Sequence, residues 1–91
     1  KATLDILYNQ ISKDSLNILP KILHEKARIK LAMIAASSSL NDLYAFRSNR
    51  LEHLKGDRKG QISIRINVQY RICFYWIDDG AYEVEIVDYH K

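Results

Sequence analysis

The hydrophobic period of this chain changes once, after Asn49, from helical spacing to strict alternation, and that change limits the folds open to it. In QISIRIN, Ile62, Ile64 and Ile66 fall on one face and Ser63, Arg65 and Asn67 on the other. In YRICFYW, Tyr70, Ile72, Phe74 and Trp76 alternate with Arg71, Cys73 and Tyr75. Two antiparallel strands must turn both apolar sets into one core, and a slip of one residue inverts a face. The connecting loop therefore holds an odd number of residues. A three-residue loop, Asn67, Val68 and Gln69, pairs Ile66 with Tyr70, Ile64 with Ile72 and Ile62 with Phe74. The same register sets Arg65 directly opposite Arg71 on the other face, where like charges destabilise a sheet pair. Either both side chains splay into water or an anion sits between them. The next hairpin turns at DDG into AYEVEIVDYH. With Val84 and Ile86 inward, Glu85, Val87 and Tyr89 join the arginine face. Asp88 and His90 alternate away in a regular strand, but at a strand end they can fan around the edge toward the arginines.

Before Asn49 the spacing is helical. Leu4, Leu7, Tyr8 and Ile11 line one face of a helix ending near Ser12, and Pro20 opens a second helix that runs to about Ser37. The apolar stripe of that helix takes in Leu23, Ala27, Leu31 and Ile34, widened by Ile22 and Met33, with Lys26 and Lys30 expected to face water. SSSLNDL breaks the period and starts one short turn of helix at Leu40–Tyr44. The expected architecture is α+β, two N-terminal helices packed on a small antiparallel sheet, as one domain over residues 1–91.

Cys73 is the only cysteine, so no internal disulfide is possible, and no zinc-finger spacing is present; both fit a reducing cytosol. No run is apolar enough to span a bilayer and no signal-peptide pattern opens the chain, so a cytoplasmic location is expected. The chain lacks an initiator Met, which leaves its true N-terminus open. The formal charge of +3 is unevenly spread. Arg47, Arg50, Lys55, Arg58, Lys59, Arg65 and Arg71 face only Glu52 and Asp57 over residues 47–71, whereas residues 72–91 are acidic. Such a basic middle either attracts phosphates or is a solvated face.

Two guanidiniums, a phenol, an imidazole and a carboxylate near one shallow face are the parts needed to cleave RNA without a metal. The 2′-hydroxyl attacks the adjacent phosphate, a base removes its proton, cations stabilise the phosphorane and an acid protonates the leaving 5′-oxygen. His90, with an ordinary pKa of about 6.5, suits either proton role near neutrality. Tyr89, at about 10, is better placed to orient the nucleophile or donate a hydrogen bond. Taken alone, DYH also reads as a polar tail.

The run NRLEHLKGDRKGQISIRINVQYRICFYW, followed by AYEVEIVDYH, resembles the HigB-type toxins of the RelE/ParE superfamily, the toxin half of bacterial toxin–antitoxin pairs. The resemblance covers most of the chain and is specific from Asn49 to His90. It implies a RelE-like α+β fold and a ribosome-dependent endoribonuclease that cuts mRNA in the A site. By matching motif, it implies that Lys55 and Arg71 hold the scissile phosphate and that Asp88, Tyr89 and His90 carry or support the proton chemistry. Arg65 falls at another basic active-site position, while Arg58 and Lys59 grip RNA by charge. No cofactor or metal is implied. The implied partners are the ribosome with its mRNA and a HigA-like helix-turn-helix antitoxin through which the pair reaches operator DNA.

Three positions depart from the family. Glu52 stands where several relatives have His, and His53 comes one residue late; Glu52 is then a candidate base whose charge also repels phosphate, which predicts a slow nuclease. Val68 occupies a loop position that is commonly Asp or Gly. A short strand normally precedes the first helix, which implies that such a strand lies before Lys1. Cys73 lies by parity on the arginine face, where cations can lower a thiol pKa, or is a small buried hydrophobe. The same superfamily includes ParE-like gyrase poisons, and a non-catalytic basic RNA-binding module or a decayed toxin uses the same surface; fold alone does not separate these readings.

Overall fold

The computed structural model describes residues 19–89. The helix expected over Leu4–Ser12 lies outside the described residues, as does His90. Pro20, at φ −53°, leads into a 3-10 turn at Lys21–Leu23 and then helix α1, His24–Ala36. Proline serves here because its fixed φ suits a helix start and its missing N–H has no partner there in any case. At the other end Ser37 turns extended, and its hydroxyl donates to the Met33 carbonyl (2.8 Å), occupying one of the acceptors that a helix terminus leaves open. Helix α2 spans Leu40–Tyr44. The Asp42 carboxylate accepts from the backbone N–H groups of Ser38 (2.8 Å) and Ser39 (3.3 Å), which fixes where it begins.

Four antiparallel strands follow in sheet order β1-β2-β3-β4: β1 Glu52–His53, β2 Ile62–Arg65, β3 Tyr70–Ile77 and β4 Gly80–Asp88. The architecture is α+β, as the change of period predicts. The β2/β3 register is Ile62 to Phe74, Ile64 to Ile72 and Arg65 to Arg71, the pairing expected from the three-residue loop. The loop closes as expected: the Ile66 N–H donates to the Tyr70 carbonyl (2.9 Å), and the Asn67 side-chain oxygen accepts from the N–H groups of Gln69 (2.9 Å) and Tyr70 (2.8 Å). Val68 at the tip is exposed.

One core joins Ala27, Leu31 and Ile34 of α1 and Leu43 of α2 to Ile62, Ile64, Ile72, Phe74, Val84 and Ile86 of the sheet. Two expectations for α1 fail. Ile22 is 87% exposed, because it lies nine residues before Leu31, about two and a half helical turns, and so on the opposite side. Lys30 is only 5% exposed, because it follows Ala27 by three positions and precedes Ile34 by four, inside the buried stripe. Its ammonium is satisfied by the Asn49 side-chain oxygen (2.5 Å) and the Ser48 hydroxyl (3.2 Å). Burial, followed by repulsion from Lys26, holds the Lys30 pKa below the ordinary lysine value.

The β3/β4 ladder pairs Cys73 with Glu85 but Tyr75 with Tyr82, so β4 carries one extra residue between them. Glu83, at φ +53°, takes the left-handed conformation of a bulge there. The bulge inverts the parity of β4 on its two sides. Ala81 therefore pairs with Trp76 and is buried, while Glu85, Val87 and Tyr89 keep to the face of Arg71.

Candidate active site

On that second face Arg65 and Arg71 stand opposite one another, and the structure gives the two unlike surroundings. Arg65 is half-buried. Arg71 is 8% exposed, and among the described residues no carboxylate lies within ion-pairing distance of it. Its charge is met by dipoles instead. The Nε donates to the Ser63 hydroxyl (2.7 Å), and Nη2 donates to the Ser63 carbonyl (3.3 Å) and, in a short hydrogen bond, to the Arg50 carbonyl. Arg50 turns that carbonyl back by adopting φ 42° and ψ 53°, the left-handed conformation. The Tyr89 ring completes the setting, with its centroid 5.9 Å from the guanidinium carbon, a cation–π distance. A guanidinium has five N–H donors, and the two on Nη1 have no acceptor among the described residues. They remain available to an anion.

A shallow cavity of about 280 Å³ opens here, lined by Glu52, Arg65, Asn67, Val68, Arg71 and Tyr89. Glu52 reaches it because β1 pairs Glu52 with Ser63, a residue of the arginine face. His53 pairs with Ile62 instead, and its ring lies beside that of Tyr44. The Tyr89 backbone N–H donates to the Gln69 carbonyl (2.6 Å), which ties the end of the chain to the hairpin loop. Burial pushes the Tyr89 phenol above its ordinary pKa, and the neighbouring Cys73 adds to the shift. At neutral pH this phenol is a donor rather than a base. Cys73 is buried, and burial raises its thiol pKa against the smaller lowering effects of Tyr89, Arg58 and Arg71. The cations on its face do not activate it.

The structure thus brings Glu52, Arg65, Arg71 and Tyr89 together. The other described candidates do not line this cavity. Asp88 pairs with Tyr70 in the ladder, one step out of phase with Tyr89, and its carboxylate sits against the Gln69 amide (3.3 Å). Arg58 is bound to Glu85 (3.2 Å) and to the Gln61 side chain (2.8 Å), and the Glu85 bond is the main cause of its raised pKa. Lys55 and Lys59 flank the 3-10 turn Gly56–Arg58 and are exposed. Sequence reasoning missed Ser63, Asn67 and the Arg50 carbonyl. Parity alone places Ser63 on the arginine face, two positions before Arg65 on β2, whereas nothing in the residue type at position 50 announces a carbonyl turned inward. Among the described residues, no three His, Cys, Asp or Glu side chains gather as a metal site.

A fixed arginine with free donors, a second arginine facing it, and a phenol and a carboxylate on the rim can hold a phosphate and work on it by proton transfer. The class is that of a small α+β protein with two arginines facing one another on the second face of its sheet. Residues 3–90 match the family model described as the RelE-like toxin of type II toxin–antitoxin system HigB, and the chain belongs to that family. It is 38% identical over 74 residues to Toxin HigB-1 of Vibrio cholerae, a match covering 81% of this chain and 77% of the relative. It is 44% identical over 41 residues to Endoribonuclease HigB of Proteus vulgaris, covering 45% of each. An uncharacterized protein of Haemophilus influenzae is 38% identical over 61 residues, 67% of this chain and 60% of that protein. A toxin of a type II system has a cognate antitoxin. Among the described residues, no helix is long and apolar enough to cross a membrane.

Proposed function

We propose that this toxin is an endoribonuclease that enters the ribosomal A site, cleaves mRNA there by attack of a ribose 2′-hydroxyl on the adjacent phosphate, and so halts translation. The observation that carries this reading is Arg71, buried, oriented by Ser63 and Arg50, and left beside Arg65 with two N–H groups that have no acceptor among the described residues. A guanidinium aligned in advance stabilises charge that appears only as the phosphorane forms. The relative named Endoribonuclease HigB supports the same chemistry.

In the reaction, Glu52 takes the 2′-hydroxyl proton as the O2′–P bond forms, and Arg65 and Arg71 hold the phosphate oxygens. Tyr89, protonated and tied to the loop, donates a hydrogen bond to the reacting phosphate. The P–O5′ bond then breaks, and His90, which follows Tyr89 in the chain, protonates the departing oxygen. Asp88 orients the chain end through Gln69. Lys55, which the resemblance pairs with Arg71 on the scissile phosphate, does not line the cavity and with Lys59 supplies exposed charge for the RNA backbone, while Arg58 contributes less because Glu85 neutralises it. None of these roles needs a metal. The toxin acts in the cytoplasm and is neutralised by a HigA-like antitoxin, through which the pair reaches operator DNA.

Primer extension on translated mRNA, with and without ribosomes, tests this reading. Cuts within codons that need ribosomes and disappear in Arg71→Ala and His90→Ala variants are expected. Growth arrest without cuts would point to a gyrase poison, and neither cuts nor arrest to a non-catalytic RNA-binding module or a decayed toxin.

A further inference from the structure

We propose that a second cavity beside the arginine site seats the nucleotide next to the cut, by stacking its base on Tyr44 and Phe46; this rests on the nuclease reading above. The cavity, about 370 Å³, is lined by Tyr44, Phe46, Arg47, Arg50, Leu51 and Glu52. Tyr44 and Phe46 are each 51% exposed although they flank the α2 terminus, beside the fully buried Leu43. Phe is among the side chains most often buried and Tyr is intermediate, so a half-exposed Phe beside a half-exposed Tyr leaves aromatic surface that the core has not taken in. Tyr44 is instead steadied at the surface by the His53 ring, with centroids 6.4 Å apart. Arg47 and Arg50 are exposed beside these rings, and among the described residues neither has a carboxylate within ion-pairing distance.

Two residues join this cavity to the arginine site. Arg50 lines the second cavity, and its backbone carbonyl, turned by the left-handed conformation, accepts from Arg71. Glu52 lines both cavities. A ligand held in one is therefore next to a ligand held in the other. The first cavity is shallow and open and grips the phosphate through its arginines, so the neighbouring nucleotide needs its own support if the 2′-oxygen, phosphorus and leaving oxygen are to line up. Aromatic faces accept any base by stacking, and unpaired arginines neutralise the adjoining phosphate. Continuity with the arginine site favours an RNA occupant over a protein partner.

The test uses ribosomes programmed with an mRNA whose A-site codon carries 5-iodouracil bases on 2′-deoxyribose, so that the strand is bound and cannot be cut. Irradiation followed by mass spectrometry is expected to find crosslinks to Tyr44 or Phe46. In parallel, the Tyr44→Ala/Phe46→Ala double variant is expected to raise KM for all-ribose mRNA roughly tenfold, the effect of losing one base–aromatic stack. Crosslinks confined to other residues, with an unchanged KM in the double variant, overturn the proposal. A double variant that binds RNA normally and loses only its cognate antitoxin also overturns it and makes the patch a protein-docking surface. Cleavage of all-ribose mRNA by the unaltered toxin is scored separately: its absence refutes the nuclease reading, while the crosslinks still report on the cavity.

Discussion

Arg71 is a charge in a place where charges are rarely found, and Ser63 and the Arg50 carbonyl are what make it possible. The pairing of Arg65 with Arg71 is legible in the sequence, because alternation fixes the register. What holds Arg71 is not, because a backbone carbonyl turned by one left-handed residue leaves no mark in residue type. Glu52 was legible as a candidate base, and its place on the cavity rim gives the repulsion argument a geometry. Glu52→His is expected to raise the single-turnover cleavage rate by about five- to tenfold, since a unit charge some ~4 Å away is worth about 1 kcal/mol even in water. An unchanged or lower rate removes support for that repulsion. Cys73 yields a test of stability. Its folded pKa is raised, so the protonated thiol contributes stability that is complete below the unfolded value of about 8.5 and is lost as pH rises above it. Denaturant titrations at neutral and alkaline pH should therefore show a wild-type advantage over Cys73→Ala that shrinks with pH; a constant difference would contradict the assignment.

At the scale of elements, the Lys30 to Asn49 bond ties α1 to the turn that precedes β1, and the Asn49 amide in turn donates to the Leu43 carbonyl (2.9 Å). Asn49→Ala leaves a buried ammonium without its main acceptor and is expected to cost about 2–3 kcal/mol, measured by denaturant unfolding. Lys30 was expected in water because lysine usually is; the partner that permits its burial lies nineteen positions away in sequence. The bulge at Glu83 was hidden for a related reason. A single residue at φ +53° shifts the register of β4, and regular alternation cannot reveal it. Glu83→Gly is expected to stabilise the fold by about 1 kcal/mol, by relieving the left-handed conformation, with a rise in thermal midpoint as the readout. The β2/β3 hairpin was legible to the residue, since both apolar faces require an odd loop and the three-residue one is the loop that forms. Helix α2 was legible too, because the serines and Asp42 mark its start.

At the scale of the molecule, one face of the sheet builds the core and the other presents the two arginines, so the fold itself separates stability from chemistry. The residues that meet in the cavity come from β1, β2, the hairpin loop, β3 and the end of β4. Residues 47–71 carry a basic balance suited to RNA, while fixed geometry rather than charge is asked to perform the cleavage. Arg71→Lys separates the two most directly, because lysine keeps the charge and cannot reproduce the planar fork held by Ser63 and Arg50. Single-turnover cleavage of ribosome-bound mRNA should fall by roughly a hundredfold or more while ribosome affinity stays near that of the wild type. Cleavage retained at the wild-type rate, or lost only in proportion to binding, would contradict a catalytic arginine in this cavity.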